Sequence, residues 1–110
     1  MLLQKSLCNL IEMKSHNYYV YIITNKVKTV LYTGVTNDLS RRIKEHQLAE
    51  TKQSFTAKYN TFYLIHFERF QWINDAIRRE KEIKGWRRSK KVELINSNNP
   101  NWEFLNETLE

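Results

Sequence analysis

Aromatic and β-branched residues crowd Tyr18 to Thr24, and strand alternation there puts Tyr19, Tyr21 and Ile23 on one face. The polar run Asn25 to Thr29 reads as a hairpin loop, and Val30 to Val35 as the returning strand, with Val30, Tyr32 and Gly34 sharing a face. Gly34 closes that strand at a point where a missing side chain lets another group come close. The period then changes. Thr36, Asn37 or Asp38 can cap a helix from Leu39 to about Leu48. Leu39 and Ile43 should face its core, while Arg42 and His46, also four apart, point together on an adjacent face. Glu50 to Asn60 reads as a loop made basic by Lys52 and Lys58, and Phe62 to Phe67 as a third strand with Tyr63, Ile65 and Phe67 alternating. Asn74 or Asp75 caps a second helix through Lys84, stopped by Gly85. Ser89 caps a short helix, Lys90 to Ile95. Beyond the break at Asn98-Asn99-Pro100, Trp102, Phe104 and Leu105 are expected to fold back onto the body.

The order β-β-α-β-α-α predicts an α+β domain: a small three-stranded antiparallel sheet flanked by helices. A chain of 110 residues supports one modest core. Two glycines and one proline leave no room for a flexible linker. Residues 17–110 read as the domain and residues 1–16 as an N-terminal extension, with disorder as one reading. The stretch before Met13 lacks periodicity and is expected to add little stability. It is too short and too interrupted by Gln4, Lys5 and Glu12 for a signal peptide or a membrane span. Cys8 is the sole cysteine, so no intramolecular disulfide and no cysteine-based zinc site is expected. The chain reads as a cytoplasmic monomer without a membrane partner.

Charge sharpens this picture. The formal net charge is +6, which favours a polyanionic partner, nucleic acid before an acidic membrane surface. The densest basic run is Lys84-Gly85-Trp86-Arg87-Arg88-Ser89-Lys90-Lys91. Lysines and arginines around an aromatic ring suit phosphate contacts and base stacking. The same run also suits a solvated helix junction with Trp86 tucked into the core, and spacing does not separate the two.

Glu80 falls by spacing on the apolar stripe Ile73, Ala76, Ile77 and Ile83 of the second helix. A carboxylate there is costly unless it is paired, for instance with Arg42, or bound to a cation. One carboxylate with water suits magnesium, which leans on substrate phosphate for the rest of its shell. Arg42 can hold a phosphate bidentately and offset the charge that builds during its displacement. His46 can accept or relay a proton. Tyr21 and Tyr32 stand out from the other tyrosines by their expected place beside Arg42.

These residues, in this order, resemble the GIY-YIG nuclease superfamily, in particular its small stand-alone bacterial members. Those are similar to the catalytic domain of the excision-repair incision subunit. The resemblance covers about Asn17 to Ile95. Tyr19-Val20-Tyr21 stands at the first signature triplet and Tyr32-Thr33-Gly34 at the second. Leu39-Ser40-Arg41-Arg42 matches the leucine-x-x-arginine motif, His46 the position that carries histidine or tyrosine, and Ala76 to Glu80 the helix of the metal-binding glutamate. Tyr19 replaces the first glycine of the signature, Thr33 the middle residue of the second triplet, and a late asparagine of some members has no counterpart. The resemblance implies a phosphodiesterase that uses Mg2+ or Mn2+ and cuts DNA or RNA. Tyr32 would be the base or water-orienting group, with Tyr21 and His46 in its hydrogen-bond network, Arg42 on the phosphate and Glu80 on the metal. Lys52, Lys58, Lys84, Trp86, Arg87, Arg88, Lys90 and Lys91 would line the nucleic-acid path.

Two other readings compete with an endonuclease: a non-catalytic nucleic-acid-binding module of the same fold, and a basic adaptor for an acidic protein. The intact set Tyr21, Tyr32, Arg42, His46 and Glu80 favours the enzyme, because a pure binder has no need of a buried carboxylate. With no separate recognition domain, action directed by nucleic-acid structure rather than by a long sequence is expected.

Overall fold

A computed structural model describes residues 17–48 and 55–109. The assignment of residues 1–16 as an extension lies outside that range, as does Lys52. The chain forms strands β1 (Tyr18–Thr24) and β2 (Leu31–Thr36), helix α1 (Leu39–Leu48) and a single-turn helix α2 (Phe55–Lys58). Strand β3 (Tyr63–Phe70), helices α3 (Ile73–Lys84) and α4 (Arg88–Asn98) and a 3-10 turn (Asn106–Thr108) complete it. The α+β class and the antiparallel three-stranded sheet are as the sequence predicts, with strand order β2-β1-β3. Among the described residues no helix is long and apolar enough to cross a membrane.

The strand faces sort the core into two clusters. Tyr21 and Ile23 of β1 pack with Leu39 and Ile43 of α1 and with Leu64, and Tyr19 and Tyr32 lie against them. Val20 and Ile22 face the other way, onto Ala76 and Ile83 of α3 and Ile95 of α4. The sheet is therefore sandwiched, with α1 on one face and α3 and α4 on the other. Strand β3 departs from simple alternation. The register against β1 jumps between Ile22↔His66 and Ile23↔Leu64, so Ile65 is an extra, bulged residue. Ile65 then joins the α3 side while Phe67, opposite Tyr21, stays with the α1 side. Tyr63, Ile65 and Phe67 thus do not form the continuous face that alternation predicts.

Other boundaries moved for identifiable reasons. Strand β3 runs to Phe70, past charged Glu68 and Arg69, because Tyr18, Tyr19 and Val20 supply backbone partners there. Part of the expected Glu50–Asn60 loop is helix α2, closed by a backbone bond from Thr61 N–H to Thr56 O at 2.8 Å. Helices α3 and α4 start earlier than Asn74 and Ser89 predict: Trp72 and Arg87 occupy the cap positions without a side-chain bond. Ile73 is 48% exposed, since it sits in the first turn, clear of the sheet.

The outer edge of β3 is covered. Leu105 N–H donates to Leu64 O at 2.7 Å, and the Asn106 side chain accepts from Leu64 N–H and donates to Phe62 O. Buried Asn99 donates to Ile65 O at 2.9 Å. The C-terminal segment thus does fold back, and it satisfies groups that would otherwise form an open sheet edge. Strand β2 is the other edge, and it carries the candidate site.

Candidate active site

Helix α1 begins where Asp38 caps it: the carboxylate accepts from Arg41 N–H at 3.1 Å, the bond that satisfies an orphan first-turn donor. That start sets the phase that turns Leu39, Ile43 and His46 into the sheet. Arg42 lies alongside, partly exposed, with its Nη1 donating to Glu45 Oε1 at 3.0 Å. The expected Arg42–His46 neighbourhood is present, and the ion pair of Arg42 with Glu80, one of the alternatives the sequence left open, does not form. Glu45, three residues on, is nearer, and it is the partner.

Tyr21 is 1% exposed, and its hydroxyl lies 2.9 Å from His46 Nε2. The far ring nitrogen, Nδ1, lies 3.0 Å from Thr56 Oγ1. The Arg42 guanidinium stands close enough for its charge to act on both groups. Tyr21, His46 and Thr56 form one hydrogen-bonded chain with Arg42 beside it. Burial pushes the Tyr21 hydroxyl up to about 12, against the pull of Arg42. Burial, and then the Arg42 charge, lower His46 to about 4. At neutral pH Tyr21 keeps its proton and His46 is uncharged.

Gly34 faces Tyr21 across the β1–β2 ladder, and a Cβ built on it would overlap the Tyr21 hydroxyl and Cζ. The close approach expected at this glycine is that of the Tyr21 ring. Tyr32, two residues earlier on the same face, packs its ring 5.4 Å from His46 and 6.5 Å from Tyr21. Among the described residues its hydroxyl has no hydrogen-bond partner, in contrast to Tyr21.

Glu80 reaches the site from the other side of the sheet. Its side chain is 13% exposed, and Lys84 Nζ lies 2.6 Å from its Oε2. The same Nζ stands 5.9 Å from the centre of the Tyr32 ring. Lys84 therefore links the α3 carboxylate to the tyrosine cluster around the β2 edge. The structure brings Tyr21, Tyr32, Arg42 and His46 into one cluster, with Glu80 beside it.

The basic run divides. Lys84 belongs to this site, whereas Trp86 packs against the core cluster of α3 and α4, with Arg79 and Lys90 stacked over its ring at 5.1 and 4.5 Å. Trp86 is occupied in packing. Arg87, Arg88, Lys90 and Lys91 lie at the α3–α4 junction, with Lys91 half-buried and the other three exposed. Lys58 lies over the Tyr59 ring at 5.4 Å.

Sequence reasoning missed three contributors. Glu45, which holds Arg42, was legible from its spacing. Thr56, which fixes His46, and Phe55, stacked on Tyr32 at 6.1 Å, carry no local signal in a polar stretch. A third group lies under α3. His66 Nε2 is 2.8 Å from Glu68, and Arg79 grips the same carboxylate through Nε at 2.8 Å. Burial raises the Glu68 carboxyl, but these bonds and the Arg79 charge outweigh it and hold it at about 2.

A small sheet with two signature tyrosines, a glycine under one of them and a helix-borne arginine at one edge is the arrangement of a nuclease-type domain. The family model described as the GIY-YIG catalytic domain matches residues 17–93, and the chain belongs to that family. It is 40% identical over 77 residues to a UPF0213 protein of Haloquadratum walsbyi, covering 70% of this chain and 84% of the relative. A UPF0213 protein of Natronomonas pharaonis is 38% identical over 79 residues, covering 72% of this chain and 91% of the relative. The solution NMR structure of a UPF0213 protein from Bacillus halodurans is similar at 33% identity with a TM-score of 0.53, covering 83% and 95% of the two chains. These names state no activity.

Proposed function

We propose that this chain is a divalent-metal-dependent endonuclease that hydrolyses phosphodiester bonds in DNA, directed by nucleic-acid structure rather than by long sequence. The observation that carries this reading is the hydrogen-bonded set Tyr21, His46 and Thr56, with Arg42 beside it and a Tyr32 hydroxyl that has no partner among the described residues.

The Glu80 carboxylate suits Mg2+ or Mn2+. It is open enough to receive an ion, and Lys84, which pairs with it here, would move aside when one binds. A single carboxylate suits an ion that keeps its waters and leans on substrate phosphate. When bound, the ion would activate water and offset phosphate charge.

The protein groups divide the remaining work. Glu45 anchors one arm of the Arg42 guanidinium and leaves the rest of the fork to a scissile phosphate. Tyr32 orients or deprotonates the attacking water through its free hydroxyl. Tyr21 does not act as a base, because burial keeps its proton on at neutral pH. It holds His46 in place. Exposed Lys58, Arg87, Arg88 and Lys90 supply phosphate contacts along the strand.

Cleavage of linear, flapped and branched DNA and of RNA, titrated with magnesium and manganese, tests the assignment. Wild type should cut, and Glu80→Gln should lose at least about a hundredfold of the metal-dependent rate, the scale of one removed electrostatic stabiliser. A wild-type chain that cuts nothing with either metal, or a Glu80→Gln chain that cuts equally well, returns the domain to a binding module.

A further inference from the structure

Helix α2 and the turn after it mount two aromatic rings beside the site, Phe55 and Tyr59, that the proposed reaction does not use. Phe55 lies against Tyr32 with ring centres 6.1 Å apart and planes 29° from parallel. Tyr59 follows, 4.8 Å from Phe55 with its plane tilted by 51°. Both remain open to solvent, Phe55 at 46% and Tyr59 at 40%. With Tyr32 they make a contiguous aromatic patch beside the candidate site, and contiguous patches mark binding surfaces where single exposed rings do not.

The mount is rigid. Thr56, between the two rings in sequence, is buried and tied to His46 Nδ1 at 3.0 Å. Tyr59 N–H donates to Phe55 O at 3.1 Å, and Thr61 N–H to Thr56 O at 2.8 Å. The bond that orients His46 is therefore the bond that positions the rings. A cation stands at each end, Lys58 Nζ 5.4 Å from the Tyr59 ring and Lys84 Nζ 5.9 Å from the Tyr32 ring.

Resting on the nuclease reading above, we propose that Phe55 and Tyr59 are a stacking ladder for unpaired bases of the strand whose phosphate meets Arg42 and Tyr32. Every base has an apolar face, and stacking on protein aromatics is tolerant of sequence. In a duplex those faces are already stacked on neighbouring bases, and only edges and phosphates are open. Rings flanked by lysines thus select a single-stranded or splayed segment over a continuous duplex. The positive flanks favour a polyanion over an apolar peptide. The ladder also gives the enzyme a means of structure-directed choice, since it reads the availability of base faces and not their hydrogen-bonding edges.

The test is binding in EDTA, where no cleavage intervenes, read by fluorescence anisotropy with a short labelled single strand and the matching duplex. Phe55→Ala and Tyr59→Ala should each weaken single-strand binding roughly tenfold, the size of one lost base stack, and leave duplex binding within about twofold. Phe55→Trp should retain affinity. Phe55→Leu keeps apolar volume without a π-face, so it separates stacking from support of α2, and it should bind as poorly as Phe55→Ala. A strand of abasic sites should bind wild type and the alanine variants alike. The ladder is overturned if Phe55→Leu binds as wild type, if duplex affinity falls in parallel, if the abasic strand shows the same losses, or if wild type binds no single strand. Each result stands apart from the cleavage assay: a chain that binds by stacking yet never cuts retains the ladder and loses the nuclease assignment.

Discussion

The Tyr21 hydroxyl lies 2.9 Å from His46 Nε2, inside a cluster where both residues are almost wholly removed from water. This bond joins β1 to α1 and, through Thr56, to α2. It makes the candidate site a part of the core rather than an attachment to it, so stability and function should respond together to changes around it.

Acid should expose this coupling in two stages. His46 has its proton affinity lowered from 6.5 to about 4, and Glu68 from 4.5 to about 2. The unfolded chain takes up a proton at His46 near pH 6.5, which the folded chain refuses until about pH 4. That contribution is complete above the upper value and is lost as pH falls through the interval, on the order of 3 kcal/mol in all. The Glu68 contribution is complete above pH 4.5 and lost as pH falls towards 2. Melting temperature recorded against pH should show both declines. In His46→Gln the upper one should disappear and the lower one remain.

Gly34→Ala should destabilise the domain by about 2 kcal/mol or more, because the added methyl overlaps a tyrosine ring that His46 holds in place. Urea midpoints measure the loss. Tyr21→Ala removes the obstacle, so Gly34→Ala should cost far less in that background, a non-additive pair as expected of residues in contact.

Thr33, the middle residue of the second signature triplet, buries its hydroxyl without a hydrogen-bond partner among the described residues. Thr33→Val keeps the shape and removes the stranded polar atom. Stability should rise by about 1 kcal/mol, read as a higher urea midpoint at unchanged slope. A fall in midpoint would mean that the hydroxyl has a partner in solution.

Arg42→Ala should lose cleavage on the scale of Glu80→Gln, since both residues act on the same developing charge. It should fold normally, because its side chain is 41% exposed. Tyr32→Phe should retain metal binding and lose cleavage, as only the proton-handling hydroxyl is gone. Manganese binding followed by electron spin resonance separates the two variants from Glu80→Gln, which alone should lose the ion.

Most of the architecture was legible in the sequence. The alternation of Tyr18 to Thr24 and the i, i+4 pairs of α1 are local patterns, and a strand or helix must express them whatever surrounds it. The β1 and α1 boundaries accordingly match their predicted ranges, and the order of signature residues carried the family. The sequence did not determine the bulge at Ile65, because a register shift is set by which backbone groups on two strands satisfy one another. Spacing permitted the pairs Arg42–Glu45 and Glu80–Lys84, three and four residues apart on one helix. It did not determine that His46 would find Thr56 across an intervening polar segment. Burial also set the proton on Tyr21 and the neutral ring of His46. Those outcomes depend on distances and desolvation between segments far apart in the chain, which exist only once the sheet and its helices have packed.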